Sequence, residues 1–194
     1  MIDTQTLIDC IGATRANAER YTLYLADGMN RFGIHTPNAM AGFLGQLVIE
    51  SEALAKVEEN LNYTTADRLR EIFPSLFVQG GYRAEDYTRN PKGLSQLRYK
   101  GFHGRGLIQL TWEDAYVAAG KALGVGLRAN PALLLEPQHA AMSACWFFAI
   151  YKDCLPAAER GDVYDLTGRV NGPKRLKLAE RKAATARACK VLSK

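Results

Sequence analysis

Apolar residues along this chain recur at helical rather than strand spacing, and threonine, proline and glycine mark the breaks between the helical runs. Thr14 can cap a helix running to about Arg31, with Gly33 suited to its end. Thr36 followed by Pro37 places a capping residue before a proline at the first helical position, which predicts a second helix reaching about Glu50. Within it Met40, Phe43, Leu44, Leu47 and Val48 fall on one stripe at i, i+3, i+4, i+7 and i+8, so Glu50 stands at the end of a core helix. Residues 51–64 lose the period and read as a loop. Thr65 then caps a short helix that stops before Pro74.

From Ser75 to Phe102 the chain is rich in Gly, Tyr, Arg and Asn and is interrupted by Asn90-Pro91, which predicts a more open lobe of short elements. Thr111, with Asp114 three residues on, resembles a capping box. Residues 138–153, carrying Ala141, Ala144, Cys145 and Phe148, predict the most buried helix, and a final helix is predicted over about 174–192. There are no repeats, no low-complexity linker and no strong alternating strand. The fold expected is mainly α, with at most a small β element near Tyr99 to Leu110. At 194 residues and 47% hydrophobic content the chain can bury one substantial core or split into two lobes, and a single domain over 1–194 is expected.

Charge changes the picture at one end only. Of the net +5, nine basic residues fall between Arg169 and the C-terminus (Arg169, Lys174, Arg175, Lys177, Arg181, Lys182, Arg187, Lys190, Lys194) against one acid, Glu180. Such a face is either solvated helix surface or an attractor of polyanions. Against nucleic acid, the cluster is confined to one end and lacks interleaved aromatics or a helix-turn-helix pattern. The N-terminus carries acid at Asp3 and Asp9 and neither a basic leader nor an apolar run, and no stretch approaches the ~20 apolar residues of a membrane span. The expectation is a protein made in the cytoplasm, monomeric and without stable membrane insertion. Four cysteines (Cys10, Cys145, Cys154, Cys189) form no Cys-x-x-Cys pair and read as reduced core thiols. His35, His103 and His139 lie apart from ligand-spaced partners, so no metal or cofactor is expected.

Two carboxylate groups stand out. Glu50 follows Gln46-Leu47-Val48-Ile49, and Glu58-Glu59 arrive just ahead of Asn60-Leu61-Asn62-Tyr63-Thr64. A carboxyl beside apolar groups is pushed toward its protonated form, whereas one in a wet, hydrogen-bonded loop stays ionised. That division suits acid/base glycoside hydrolysis. A solvated helix end followed by an acidic loop would look the same. The segment Gly104 to Thr111 adds two glycines around Arg105, and if extended it turns Gln109 and Thr111 away from Ile108 and Leu110. Trp112 adjoins Thr111 and reads equally as cleft wall or packing; Trp146 reads as core.

The order and spacing of Glu50-Ser51, Glu59 to Thr64, Gly104 to Thr111, Asn130-Pro131, Ala141 to Phe148 and Val170-Asn171-Gly172 resemble family 19 glycoside hydrolases, over roughly residues 36–190. Within the family the chain looks closest to compact bacteriophage and prophage endolysins. The resemblance implies a lysozyme-like helical fold of two lobes around a cleft and metal-free, inverting hydrolysis. Glu50 matches the general acid, Glu59 the general base and Thr111 the hydroxyl that helps hold the water. Tyr63, Gln109 and Asn171, with Asn62 and Arg105, match the sugar-binding set. An inverting pair stands about 6.5–9.5 Å apart to admit that water. Departures from the family pattern fall at Ile49, where His is usual, at Glu52 and Ala53, where glycines are usual, and at Ala115 and Pro173, where Asn and Gly are usual. The endolysin resemblance implies peptidoglycan as the substrate, host cell lysis as the role, and access to the wall in the periplasm once a holin opens the inner membrane. A chitinase acting on chitin oligomers and a degenerate, non-hydrolytic glycan binder stand as alternatives.

Overall fold

A computed structural model of the chain describes residues 2–193. Among them it holds ten α-helices: α1 (Thr4–Ile11), α2 (Arg15–Arg31), α3 (Pro37–Glu50), α4 (Ala66–Ile72), α5 (Pro91–Tyr99), α6 (Glu113–Leu123), α7 (Pro137–Trp146), α8 (Leu155–Glu159), α9 (Val163–Asn171) and α10 (Leu178–Leu192). The three threonine caps form as the sequence predicts. The Asn17 N–H donates to Thr14 Oγ1 at 3.2 Å, Ala39 N–H to Thr36 Oγ1 at 3.1 Å and Arg68 N–H to Thr65 Oγ1 at 3.3 Å. The capping box at Thr111 does not form. Trp112 precedes α6 without a side-chain cap, and the Thr111 hydroxyl donates to the Gln109 carbonyl instead. The final helix starts later than its composition suggests, because Arg175 and Lys177 take left-handed backbone conformations that interrupt it. Among the described residues the β content is two isolated bridges, Glu58 with Arg105 and Arg105 with Leu110.

Two hydrophobic clusters divide the molecule. The larger gathers α1, α2, α3, α6, α7, α8 and α10 around buried Phe43, Leu44, Leu47, Tyr116, Cys145 and Phe148. The smaller is made by Leu61, Leu69, Phe73, Ala84, Leu94 and Tyr99, which come from α4, α5 and the turns beside them. Helix α3 lies against α10 with its backbone almost in contact: a Cβ added at Gly45 would stand 2.1 Å from Thr185 Oγ1 and 2.9 Å from the Thr185 Cα. Glycine is required there because no side chain can be moved aside to make the space. Burial pushes the Cys10 thiol up to about 11 and the Cys154 thiol to about 12, so both are inert packing groups.

The chain leaves α3 through a tight left-handed turn. Glu52, Ala53 and Leu54 have φ of 50°, 54° and 68°. The turn is tied by the Ser51 hydroxyl, which donates to the Leu47 carbonyl at 2.7 Å and accepts from the Leu54 N–H at 2.9 Å. Glu52 and Ala53 are the positions at which the family pattern has glycines, and their φ values give the reason. Among the described residues no helix is long and apolar enough to cross a membrane.

Candidate active site

Glu50 closes α3, and α10 brings Arg181 to it. The Arg181 side chain is 2% exposed, and its three nitrogens are all used. Nη2 donates to Glu50 Oε1 at 2.6 Å, Nη1 to Gln46 Oε1 at 2.6 Å and Nε to the Leu176 carbonyl at 3.1 Å. Gln46 lies one turn before Glu50 on the same face, and its own amide donates to Thr167 Oγ1 at 3.3 Å. A buried guanidinium with each of its nitrogens donating a hydrogen bond fixes the carboxylate it holds. Arg181 engages Oε1; the other oxygen of Glu50 has no hydrogen bond among the described residues.

The segment from Gly104 to Thr111 forms the next wall. It is a closed turn rather than an extended strand, pinned by Arg105 N–H to the Leu110 carbonyl at 3.1 Å and Leu110 N–H to the Arg105 carbonyl at 2.8 Å. Ile108 and Leu110 are buried and Gln109 and Thr111 lie on the outer side, as alternation predicts, but Leu107 is buried too, which a strand would not allow. Gln109 takes φ of 52° in this turn, and its amide donates to the Gly106 carbonyl at 3.0 Å. A cavity of about 450 Å³ is bordered by Glu50, Gln109, Thr111, Trp112 and Asn171. Asn171 also anchors its surroundings: its Oδ1 accepts from the Leu176 N–H at 2.7 Å, and Leu176 is the residue whose carbonyl receives Arg181.

Glu59 sits on the far side of Gly104. Its backbone N–H donates to the Gly104 carbonyl at 2.8 Å, and its carboxylate accepts from Gly104 N–H at 3.1 Å and from the Tyr99 hydroxyl at 2.8 Å. Burial, followed by the charge of Glu59, raises the Tyr99 hydroxyl well above the usual tyrosine range, so Tyr99 remains a proton donor to Glu59. A Cβ at Gly104 would lie 3.3 Å from Gln109 Oε1 and 3.4 Å from both Glu59 Cβ and Thr111 Oγ1. Glu59, Gln109 and Thr111 therefore converge on Gly104, where a side chain would be crowded. Through Thr111 the Glu59 side meets the cavity of Glu50.

Glu58 turns elsewhere. His103 Nε2 stands 2.9 Å from Glu58 Oε1, and Arg105 Nε donates to the same oxygen at 3.2 Å. His103 Nδ1 lies 2.6 Å from Ser95 Oγ, and Tyr116 OH donates to the His103 carbonyl at 2.6 Å. This network braces the turn that carries Gly104. It also accounts for Arg105, which spends its donors on Glu58, Gly101 and Tyr116. A second cavity of about 650 Å³ is lined by Glu58, Glu59, Asn62, His103 and Arg105 among others. Tyr63 borders neither cavity. It packs edge-on against Phe73 at 5.7 Å, and its hydroxyl is raised by burial and then by the charge of Glu59.

The structure thus gathers Glu50, Gln109, Thr111 and Asn171 in one hollow and Glu59, Asn62 and Arg105 in an adjoining one. Arg181, Gln46, Tyr99 and His103 complete the arrangement, and the sequence reading gives Arg181, Gln46 and His103 no place in it and Tyr99 none beside Glu59. Arg181 hides within a basic run, and only its contact with a residue 131 positions away distinguishes it. Among the described residues no group of three His, Cys, Asp or Glu gathers as a metal-ligand set.

Comparison with known proteins agrees with this geometry. Residues 40–183 match the family model described as chitinase class I, of the glycosyl hydrolase 19 group. A Haemophilus influenzae protein described as a glycosyl hydrolase family 19 domain-containing protein is 29% identical, aligned over 68% of this chain and 70% of its own length. An endochitinase of Arabidopsis thaliana is 38% identical over 74 residues, which span 38% of this chain and 25% of the plant protein. Among solved structures, a bacterial family 19 chitinase superposes with TM-score 0.65 at 20% identity over 98% of this chain and 94% of that one. Chitinase C from Streptomyces griseus HUT6037 gives TM-score 0.65 at 18% identity, covering 99% of this chain and 76% of its own. The helical, lysozyme-like architecture is therefore that of these chitinases.

Proposed function

The chain belongs to glycoside hydrolase family 19, and on that basis we propose that it hydrolyses the β-1,4 glycosidic bonds of bacterial peptidoglycan with inversion at the anomeric carbon. The observation that supports this reading most is that Glu50 and Glu59 lie on the two sides of the Gly104 to Thr111 turn, with Thr111 beside both. Glu50 offers the cleft a single uncommitted oxygen, and it is from Oε2 that the proton passes to the departing sugar oxygen. Glu59, held by hydrogen bonds from Tyr99 and Gly104, takes the proton of the attacking water. The Thr111 hydroxyl, beside Gly104, holds that water between base and sugar. Gln109 and Asn171 bind the sugar by their amides, and Asn62 extends the binding surface toward the small lobe.

The preference for peptidoglycan rests on charge: a chain of net +5 is drawn to an anionic wall, whereas chitin is neutral. In this reading the protein is an endolysin, released onto the wall when a holin opens the inner membrane. Chitin oligomers are the second reading, favoured by the chitinase description of the matched family. Incubation with purified sacculi, with the first product's anomer followed by NMR, tests the proposal. Release of reducing ends with the inverted anomer is expected, and Glu50→Gln should lower the rate by about 10²–10⁴ while the protein stays folded. Inactivity on sacculi with turnover of chitin oligomers would replace peptidoglycan by chitin. A retained anomer would remove the water mechanism.

A further inference from the structure

One wall of the Glu50 cavity is built by the end of α7 and the helical turn that follows. In a regular α-helix each residue is rotated about 100° from the last, so residues 147 and 151 share a face and residue 152 turns away from it. Here the Lys152 N–H donates to the Phe147 carbonyl at 2.9 Å, an i to i+5 bond that widens the turn. Phe147, Tyr151 and Lys152 all border the cavity that holds Glu50, Gln109, Thr111 and Asn171. Lys152 Nζ lies 5.4 Å from the centre of the Phe147 ring and 5.6 Å from that of Tyr151.

This cation has no carboxylate partner among the described residues. Its neighbour Asp153 faces Arg169, and the acid of the cavity, Glu50, is bound by Arg181. Lys152 is half-buried, and an ammonium beside two rings on such a side chain gains more from an incoming anion than a fully exposed lysine does, because less water competes for it. Polymers of N-acetylglucosamine carry no anion. N-acetylmuramic acid does, as the carboxylate of its 3-O-lactyl group when free and as the carboxylates of the stem peptide when that group is acylated.

We propose that Lys152 determines specificity by binding the carboxylate borne by the muramic acid substituent in the Glu50 cavity. The inference rests on the peptidoglycan reading of the same site. It makes Lys152 the residue that separates wall glycan from chitin, with Phe147 and Tyr151 holding the ammonium toward the sugar.

The test compares wild type, Lys152→Met and Lys152→Arg on intact sacculi, on amidase-stripped glycan strands with free lactyl groups, and on a chitin hexamer whose affinity is read by calorimetry. Lys152→Met should lower kcat/KM on wall glycan by about tenfold or more, through KM, as expected for loss of a charge-assisted hydrogen bond. Lys152→Arg should recover most of the loss, and hexamer affinity should change less than twofold. A loss on both wall substrates assigns the lactyl carboxylate; a loss confined to intact sacculi assigns the stem peptide. Unchanged kcat/KM on wall glycan, or an equal loss of hexamer affinity, would overturn the role of Lys152. A wild type inactive on both wall substrates would instead overturn the peptidoglycan reading, and this inference with it.

Discussion

Glu58 and Glu59 are separated by one peptide bond and serve different ends. The backbone pairing of Glu58 with Arg105 sends its carboxylate to the His103 and Arg105 side chains, while Glu59 reaches Tyr99 and the N–H of Gly104. Glu59→Gln should therefore suppress hydrolysis strongly. Glu58→Gln keeps an acceptor for Arg105 and His103, so activity should remain near wild type and stability should fall by about 1 kcal/mol or less, since Glu58 is exposed. Thr111→Val should fall between the two. Initial rates on sacculi at matched folded concentration rank the three, and a more damaging Glu58→Gln would shift the assignment of the base by one residue. The turn after α3 offers a second check. Ala53 pays a steric penalty at φ of 54°, a conformation that costs a residue with a Cβ about 1–2 kcal/mol, partly offset by the greater unfolded-state freedom of glycine. Ala53→Gly should raise the urea midpoint at unchanged m-value; a lowered midpoint would mean that the turn is not strained. Residue identity made the acids legible in the sequence. Their partners were not, because Arg181, Tyr99 and His103 reach them across 131, 40 and 45 positions.

Among the elements, α3 was legible because its signals are local: a threonine cap, a proline and one apolar stripe. Several others were missed for reasons that can be named. Helix α1 is only eight residues long and is capped by Asp3, whose carboxylate accepts from the Thr6 N–H, so an acid that reads as evidence against a leader is a cap. Helix α5 starts at the Asn90-Pro91 pair that reads as an interruption, with Asn90 Oδ1 accepting from Gly93 N–H at 2.9 Å. The same two residues break one segment and open the next. The pairing of α3 with α10 had no signal at all, since Gly45 inside a helix looks like a weak point until Thr185 is seen against it. Gly45→Ala should gain in helix propensity by about 1 kcal/mol and lose more, about 3 kcal/mol, by forcing two backbones apart. Because Arg181 lies one turn before Thr185, the displaced α10 should also loosen Glu50 and reduce activity in the fraction that remains folded. A protein as stable and active as wild type would show that the two helices can separate without cost.

At the scale of the whole molecule, the two-lobed helical plan followed from the absence of alternating strands and from the polar, glycine-rich middle of the chain, whereas the meaning of its charge did not. The basic run after Arg169 reads as one face, but the structure divides it. Arg169 pairs with Asp165 and Asp153, Arg175 stacks on Tyr164, Arg181 is buried at Glu50, and Arg187 donates to the Cys10 carbonyl at 2.7 Å. Lys194 lies outside the described residues. Lys174, Lys177, Lys182 and Lys190 remain exposed, and they are the charges available to an outside surface. Arginine, with its planar fork, has been used for internal contacts, and lysine, a strongly hydrated point charge, is left in water. If those four lysines draw the protein to the wall, their replacement by Gln should weaken binding to intact sacculi and flatten its dependence on salt, because exposed charges are screened beyond about 8 Å at physiological ionic strength. Cleavage of small soluble wall fragments should hardly change, since Lys152 and the carboxylates are untouched. Replacing Arg187 along with them would confound the result, as its removal frees the end of α1 from α10 and lowers stability. Pull-down on sacculi across a salt series reads the effect, and equal binding by wild type and the fourfold variant at every salt concentration would reduce this surface to solvated helix.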